Sequence, residues 1–321
     1  MHNTILILGA NGRLGAVAAN AFADAGWNVF AQVRRSGAFR HARITPVRIP
    51  LQHTDALAGS CRGTRTVLHA VNVPYTRWGA EVLSLGRLGM DVAQRLDATF
   101  MLPGNVYGYG AGMPSRLTPE TPERPTAGKG RIRVALESEM RHRAMSGLES
   151  VVIRAGDFFG CGPGGWFDQV ILKSLAAGKL VYPGPLDVAH AWAYVPDLAS
   201  AFVAVAQGPR LSGFSALGFP GHNATGRQLL GALESAALQV GFYPRRGRFR
   251  RGSFPWPIIR LGALVVPAFR ELAELSYLWE RPHALDGMAL DRRVGTLPQT
   301  PLIEALAATL QSILGNSRRV A

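Results

Sequence analysis

Ile5-Leu6-Ile7-Leu8-Gly9-Ala10-Asn11-Gly12-Arg13-Leu14-Gly15 is the stretch on which the reading of this chain turns. Four consecutive aliphatic residues bounded by glycine predict a strand buried on both faces, as in a parallel sheet; a half-solvated strand would alternate. From Ala16 onward the sequence AVAANAFADAG is alanine-rich and helix-favouring, with Gly26 where a C-cap belongs. Gly9, Gly12 and Gly15 thus form a G-x-x-G-x-x-G turn between a strand and a helix. In that context glycines let the backbone bend sharply, approach a pyrophosphate and pack helix against strand, and the free N–H groups of the helix start face the anion. The turn, with Asn11, Arg13 and Leu14 between its glycines, is therefore expected to bind a dinucleotide.

Outward from the turn, Trp27–Val33 reads as a second strand that ends at Arg34-Arg35. This is where a dinucleotide fold holds an acid to read a ribose 2′-hydroxyl, or arginine to meet a 2′-phosphate. No acid stands here, so Arg34 and Arg35, with Arg13 as a further candidate, predict NADP(H) rather than NAD(H). Further strands are expected at 44–49, 66–71, 98–102 and 151–154, with helices near 78–96, 130–146 and 197–207. That alternation predicts an α/β fold with a Rossmann-type doubly wound parallel sheet. Trp166–Ala177 also reads as a helix. The strand ends Asn72-Val73-Pro74-Tyr75 and Asn105-Val106-Tyr107-Gly108 would line the crevice of such a sheet, with Asn72 placed beside the cofactor.

Composition narrows the classes. The 321 residues, 47% hydrophobic and 17% charged, belong to a folded globular chain rather than a disordered one. The first strand leaves no room for a secretory leader, and Cys61 and Cys161 make neither a disulfide framework nor a metal site, so a reducing cytoplasm is expected. The longest apolar run, Leu261–Phe269, is broken by Pro267 and reads as a buried helix; no membrane association is expected. The 35 Lys+Arg against 21 Asp+Glu give +14, an excess that favours anionic ligands or surfaces, although scattered solvated arginines would give the same balance. The densest basic run, Arg245-Arg246-Gly247-Arg248-Phe249-Arg250-Arg251, holds one aromatic, too little for a nucleic-acid stacking platform, and reads as a solvated loop.

With these segments in order, the glycine turn, Asn105-Val106-Tyr107-Gly108, Arg154-Ala155-Gly156-Asp157-Phe158-Phe159-Gly160 and Trp192-Ala193-Tyr194-Val195-Pro196-Asp197-Leu198-Ala199 together resemble the extended short-chain dehydrogenase/reductase family, the NAD(P)-dependent sugar epimerase/dehydratase group. The resemblance is strong over residues 3–210 and weaker beyond. It implies a Rossmann domain over 1–160, with 190–210 returning to it, and a smaller α/β substrate domain over 161–189 and 211–321. It also implies a small carbonyl, hydroxyl or sugar-nucleotide-like substrate and, by analogy, a homodimer through the helices near 80–96 and 130–146.

The family's catalytic residues do not carry over. Aligning on Val106-Tyr107-Gly108 puts Pro103 at the Ser/Thr position; aligning on Glu137 puts Lys129 at the tyrosine position and Arg133 at the lysine position. Pro50 stands where an acid would contact adenine. Arg133 can hold positive charge or bind ribose hydroxyls but cannot deprotonate usefully, and Lys129 could exchange protons only with a strongly depressed pKa. Tyr107 becomes the first alternative proton donor, ahead of Tyr75 and His69; His69, inside an apolar strand, reads as a satisfied core histidine. Asn72, Asn105 and Asp157 read as groups that orient loops or substrate, and Asp197 as an N-cap. Two functions stay open: hydride transfer with an unusual proton donor, and a non-catalytic NADP(H)-binding redox sensor.

Overall fold

The computed structural model describes residues 3–35, 39–244 and 247–318. Ile5, Leu6, Ile7 and Leu8 have no exposed surface and form β1 (Thr4–Leu8). Their side chains alternate between two cores. Ile5 and Ile7 join Ala18, Phe22 and Phe202 on one face; Leu6 and Leu8 join Met90, Phe100 and Met140 on the other. Burying four such side chains contributes roughly 6–12 kcal/mol of gross transfer free energy, which is why this segment anchors the sheet.

The chain continues through α1 (Arg13–Asp24), β2 (Asn28–Gln32), β3 (Ile44–Val47), α2 (Thr54–Ser60), β4 (Thr66–His69), α3 (Trp78–Arg95), β5 (Thr99–Gly104), β6 (Arg116–Leu117), α4 (Gly128–Ala144) and β7 (Ser150–Arg154). It then forms β8 (Asp157–Phe159), β9 (Lys179–Tyr182), β10 (Ala189–Tyr194), α5 (Val195–Gln207), β11 (Phe214–Gly218), β12 (His222–Thr225) and α6 (Gly226–Gln239). Last come β13 (Arg250–Ser253), α7 (Trp256–Gly262), α8 (Pro267–Ala273), α9 (Tyr277–Glu280), β14 (Ala284–Leu285), α10 (Met288–Val294) and α11 (Leu302–Arg318).

The main sheet has seven parallel strands in the order β11-β7-β5-β4-β1-β2-β3, the doubly wound α/β arrangement. Helices α1 and α5 pack against each other on one face, and α2, α3 and α4 follow one another on the opposite face. Because β2 and β4 lie on opposite sides of β1, the glycine turn after β1 sits where the strand order reverses, the ligand crevice of such sheets. A second core gathers Phe167, Ile171, Leu180, Trp192, Leu229, Leu233, Trp279, Leu306 and Leu310 under the small sheet β12-β10-β8.

Several expectations change. Trp166–Ala177 is not a continuous helix: it forms one π turn over Phe167–Ile171 and a 3₁₀ turn over Leu175–Ala177, with Phe167, Ile171, Leu172 and Leu175 in the second core. Strand β11, assigned from sequence to the C-terminal part, completes the main sheet beside β7. Leu261–Phe269 is not a buried helix. It is the bend of a hairpin in which α7 and α8 pack together, Gly262 lying so close to the Phe269 ring that a Cβ would stand 2.5 Å from it, while Leu261, Leu264 and Val265 face outward. Asp197 is not an N-cap. It lies inside the first turn of α5, which starts at Val195, and its carboxylate accepts from the Thr300 N–H at 2.9 Å and the Thr300 hydroxyl at 2.7 Å. Among the described residues, no helix is long and apolar enough to cross a membrane.

Candidate active site

The glycine turn is built by backbone contacts that leave no room for side chains. Gly9 takes φ +73°, a left-handed conformation, and a Cβ there would meet Val71 backbone atoms at 3.0 Å. A Cβ on Gly15 would stand 2.4 Å from the Gly9 carbonyl oxygen. The Gly12 N–H donates to the Gly9 carbonyl at 2.8 Å, and Gln32 braces the turn by accepting from the Gly9 N–H at 3.1 Å. Helix α1 begins after Gly12 with no side-chain cap and no acid in its first turn, so its dipole end is uncompensated.

Arg13 leaves this turn toward the segment after β8. Its guanidinium lies against Gly165, reaches Asp168 only at 3.6 Å, and leaves Nε and Nη2 buried without a hydrogen-bond partner. Burial pushes the neighbouring Cys161 thiol up, and Arg13 partly offsets the shift. Asp168 itself accepts from the N–H groups of Gly164 and Gly165. An anionic group fits this place: a cradle that a Cβ would fill, free helix N–H groups and an under-partnered guanidinium all call for negative charge. Arg34 and Arg35 are exposed at the end of β2, where the Arg35 carbonyl accepts from Asn11 Nδ2 at 3.1 Å. Asn72 is exposed after β4.

On the same sheet edge, the segments after β4 and β5 bring two tyrosines together. Tyr75 and Tyr107 share a hydroxyl hydrogen bond of 2.8 Å. Asn105 Oδ1 accepts from the Tyr107 N–H at 3.1 Å, and the Tyr277 hydroxyl donates to the Tyr107 carbonyl at 3.4 Å, fixing the turn. Burial pushes Tyr75 up to about 12 and Tyr107 well above the usual tyrosine value. Both phenols therefore stay protonated at neutral pH.

Helix α4 supplies the cations beside them. Arg133 lies 4.9 Å from the centre of the Trp78 ring, donates to the Pro103 carbonyl at 3.2 Å and keeps Nε buried without a partner. Its charge acts on both tyrosines. Lys129 is 1% exposed and stands 4.9 Å from the centre of the Tyr75 ring; its ammonium is ion-paired with Glu271 and lies 3.9 Å from Glu274. Tyr107, Tyr75, Arg133 and Lys129 thus lie in one cluster, although the lysine is tied to α8 carboxylates.

Across from them, β8 runs beside β10 with Asp157 opposite Trp192. This pairing brings His190 Nε2 to 3.0 Å from Asp157 Oδ2. The imidazole stacks parallel to the Trp279 indole at 4.3 Å, and its Nδ1 is buried without a partner. The Asp157 charge is felt by Tyr75, Tyr107 and Tyr182. Sequence reasoning singled out Asp157 but not His190, whose place in the apolar segment AHAWAY gives no signal of a polar partner on another strand.

Glu137, the alignment anchor, and His69, the weakest candidate proton donor, lie outside the cluster's chemistry. Glu137 is buried against Arg154, which also binds Glu123 at 3.0 Å and the Tyr109 hydroxyl at 2.7 Å. His69 is buried between Phe100 and Gly89, but it is not fully satisfied: Nδ1 has no hydrogen-bond partner. Burial pushes its pKa down to about 3, with Arg133 contributing, so it is neutral.

The architecture is shared with solved enzymes. It superposes on a UDP-glucuronic acid 4-epimerase from Bacillus cereus, solved with NAD and a fluorinated sugar nucleotide, with a TM-score of 0.75 at 15% identity over 98% of this chain and 99% of the other. A dTDP-glucose 4,6-dehydratase from Streptomyces venezuelae with NAD bound gives 0.74 at 16% identity over 98% of both chains. A UDP-N-acetylglucosamine 4-epimerase from Methanobrevibacter ruminantium gives 0.73 at 16% identity, covering 98% and 99%. No curated protein matches the chain. Residues 5–213 match the model of the NAD dependent epimerase/dehydratase family, and with the glycine turn at the switch point of a doubly wound sheet, the chain belongs to that family.

Proposed function

We propose that the protein is an NADP(H)-dependent oxidoreductase or epimerase/dehydratase-like enzyme that acts by hydride transfer on a small carbonyl, hydroxyl or sugar-nucleotide-like substrate. The observation that carries this reading is the Tyr75–Tyr107 hydroxyl pair, 2.8 Å apart beside a half-buried Arg133, on the same sheet edge as the glycine turn. Bound NADPH would supply the hydride; the chain must then supply a proton to the substrate oxygen. One phenol donates to the other, which leaves a single O–H free to point at substrate. Arg133 offsets the negative charge that grows on the pair as the proton leaves. Lys129, held on α8, orients the Tyr75 ring.

Phenols held protonated suit carbonyl reduction near neutral pH. The reverse direction needs a base, and the Asp157 carboxylate, braced by His190, is close enough for its charge to act on both phenols. Tyr107→Phe is expected to lower kcat for carbonyl reduction by about 10²- to 10⁴-fold while leaving the dissociation constant for NADPH unchanged. A panel of aldehydes, ketones and nucleotide sugars, followed at the NADPH absorbance band, tests the reading; tight NADPH binding without turnover of any of them would reject it. That outcome would support the sensor reading, which is favoured by one feature, the engagement of Lys129 with Glu271 and Glu274.

Within the proposed site, Arg13 would hold the diphosphate and Arg34 the 2′-phosphate. A charge-assisted hydrogen bond to phosphate contributes about 1.5–3 kcal/mol, so Arg34→Ala should weaken NADPH binding about 10- to 150-fold. NADH binding should stay unchanged. Titration of both nucleotides into wild type and variant checks this; equal wild-type affinity for the two would rule out the 2′-phosphate assignment.

A further inference from the structure

The α7–α8 hairpin carries an apolar tip that the rest of the fold leaves uncovered. Ile258 is 65% exposed, Leu261 72%, Leu264 80% and Val265 82%, all within eight residues of one bend. Large aliphatic side chains side by side at such exposure are unusual on a soluble surface and mark a contact site. The hairpin is anchored at both ends. Trp256 Nε1 donates to the Pro183 carbonyl at 2.5 Å and its ring packs on Trp166. At the other end, Glu271 on α8 and Glu274 at its C-cap clasp Lys129, and Glu274 accepts from the Gly128 N–H at 2.8 Å.

Charge decides what the tip meets. Between Glu234 and Glu271 the chain has no acidic residue and seven arginines: Arg245, Arg246, Arg248, Arg250, Arg251, Arg260 and Arg270. Arg245 and Arg246 lie outside the described residues. Of the others, Arg251 pairs with Glu234 and Arg260 with Glu280, whereas Arg248, Arg250 and Arg270 are exposed and make no ion pair among the described residues. Strand β13, which carries Arg250, runs directly into α7, and Arg270 stands at the far end of the bend. Aliphatic residues at a tip, with exposed arginines flanking them along the chain, suit an interface whose outer layer is anionic and whose inner layer is apolar. A second copy meeting the same face would bring two acid-free arginine segments together. A nucleic acid would leave the aliphatic tip in water.

We propose that the α7–α8 hairpin docks the protein peripherally on an anionic phospholipid bilayer, with Ile258, Leu261, Leu264 and Val265 entering the interface and Arg248, Arg250 and Arg270 facing the headgroups. This departs from the expectation of a buried helix and no membrane association, because periodicity cannot tell an apolar run that is covered from one that is presented.

Co-sedimentation of the full chain with vesicles of equal parts phosphatidylglycerol and phosphatidylcholine, and with phosphatidylcholine alone, tests the proposal. Binding is expected to the anionic vesicles, with little to the neutral ones, and to weaken severalfold as salt rises from about 0.1 M to about 0.5 M. Leu264→Asp with Val265→Asp should lower partitioning about tenfold or more without shifting the melting temperature, since both side chains lie in solvent. Arg248→Glu with Arg250→Glu, placed on another element, should weaken binding to the anionic vesicles alone. The proposal is overturned if the wild type stays in the supernatant, or if the aspartate pair binds as well as wild type. It is also overturned if sedimentation velocity shows a wild-type dimer that the aspartate pair converts to monomer, because a second copy then covers the tip.

Discussion

Gly15→Ala is expected to weaken NADPH binding about a hundredfold, or about 2.7 kcal/mol. The added methyl would stand 2.4 Å from the Gly9 carbonyl oxygen and 2.9 Å from Ala10 Cα, both backbone atoms of the turn itself. No rotamer relieves such a contact, so either the turn opens or α1 moves off β1. Each displaces the free N–H groups at the helix start from the positions at which they meet a diphosphate. Gly59→Ala is the control: it lies in α2 with open space where its Cβ would go, and should leave affinity unchanged while slightly raising the melting temperature. Fluorescence titration of NADPH into both variants, with thermal melts showing each is folded, measures the difference. Equal affinities would remove the glycine turn from the cofactor site.

Acid should unfold the protein through two histidines that take no part in the proposed chemistry. Burial pushes His69 down to about 3 from its ordinary 6.5, and His283 likewise, the latter with its Nδ1–H donating to the Arg281 carbonyl at 2.9 Å. The unfolded chain takes up these protons near 6.5 while the folded chain refuses them until about 3. Their contribution is therefore fully present above 6.5 and is lost as pH falls through the window between the two values. Each group costs about 1.4 kcal/mol per pH unit well inside the window, so the pair removes about 5 kcal/mol between about pH 6 and pH 4. Denaturant midpoints measured across that range should fall steeply. His69→Leu should halve the slope whatever it does to absolute stability; an unchanged slope would show that His69 does not carry the effect.

Much of the fold was legible because its signals are local. Four aliphatics in a row, Ile5–Leu8, suit a strand covered on both faces, and the glycine spacing between strand and helix suits the first turn of a doubly wound sheet. The expectation that Pro103, Lys129 and Arg133 stand at the family's Ser/Tyr/Lys positions likewise rests on local spacing. The misreadings fall where covering matters. Trp166–Ala177 has helical composition, and Phe167, Ile171 and Leu175 would share one face of an α-helix, yet the segment is broken into a π turn and a 3₁₀ turn. Asp197 has the residue type of a cap, yet its partner is Thr300, far along the chain.

By itself, then, the sequence determined the strand–turn–helix unit and the doubly wound sheet, which rest on periodicity and spacing within a few tens of residues, and its ordered motifs carried the resemblance to the family. Only the tertiary structure decided which polar groups meet: Tyr75 with Tyr107 after different strands, Lys129 with Glu271, and His190 with Asp157 through the β8–β10 register. It alone decided that the run from Leu261 to Val265 is presented to its surroundings rather than buried. The physical reason is common to both. Partner choice and burial depend on contacts between segments distant in sequence, and no residue type or spacing along the chain records them.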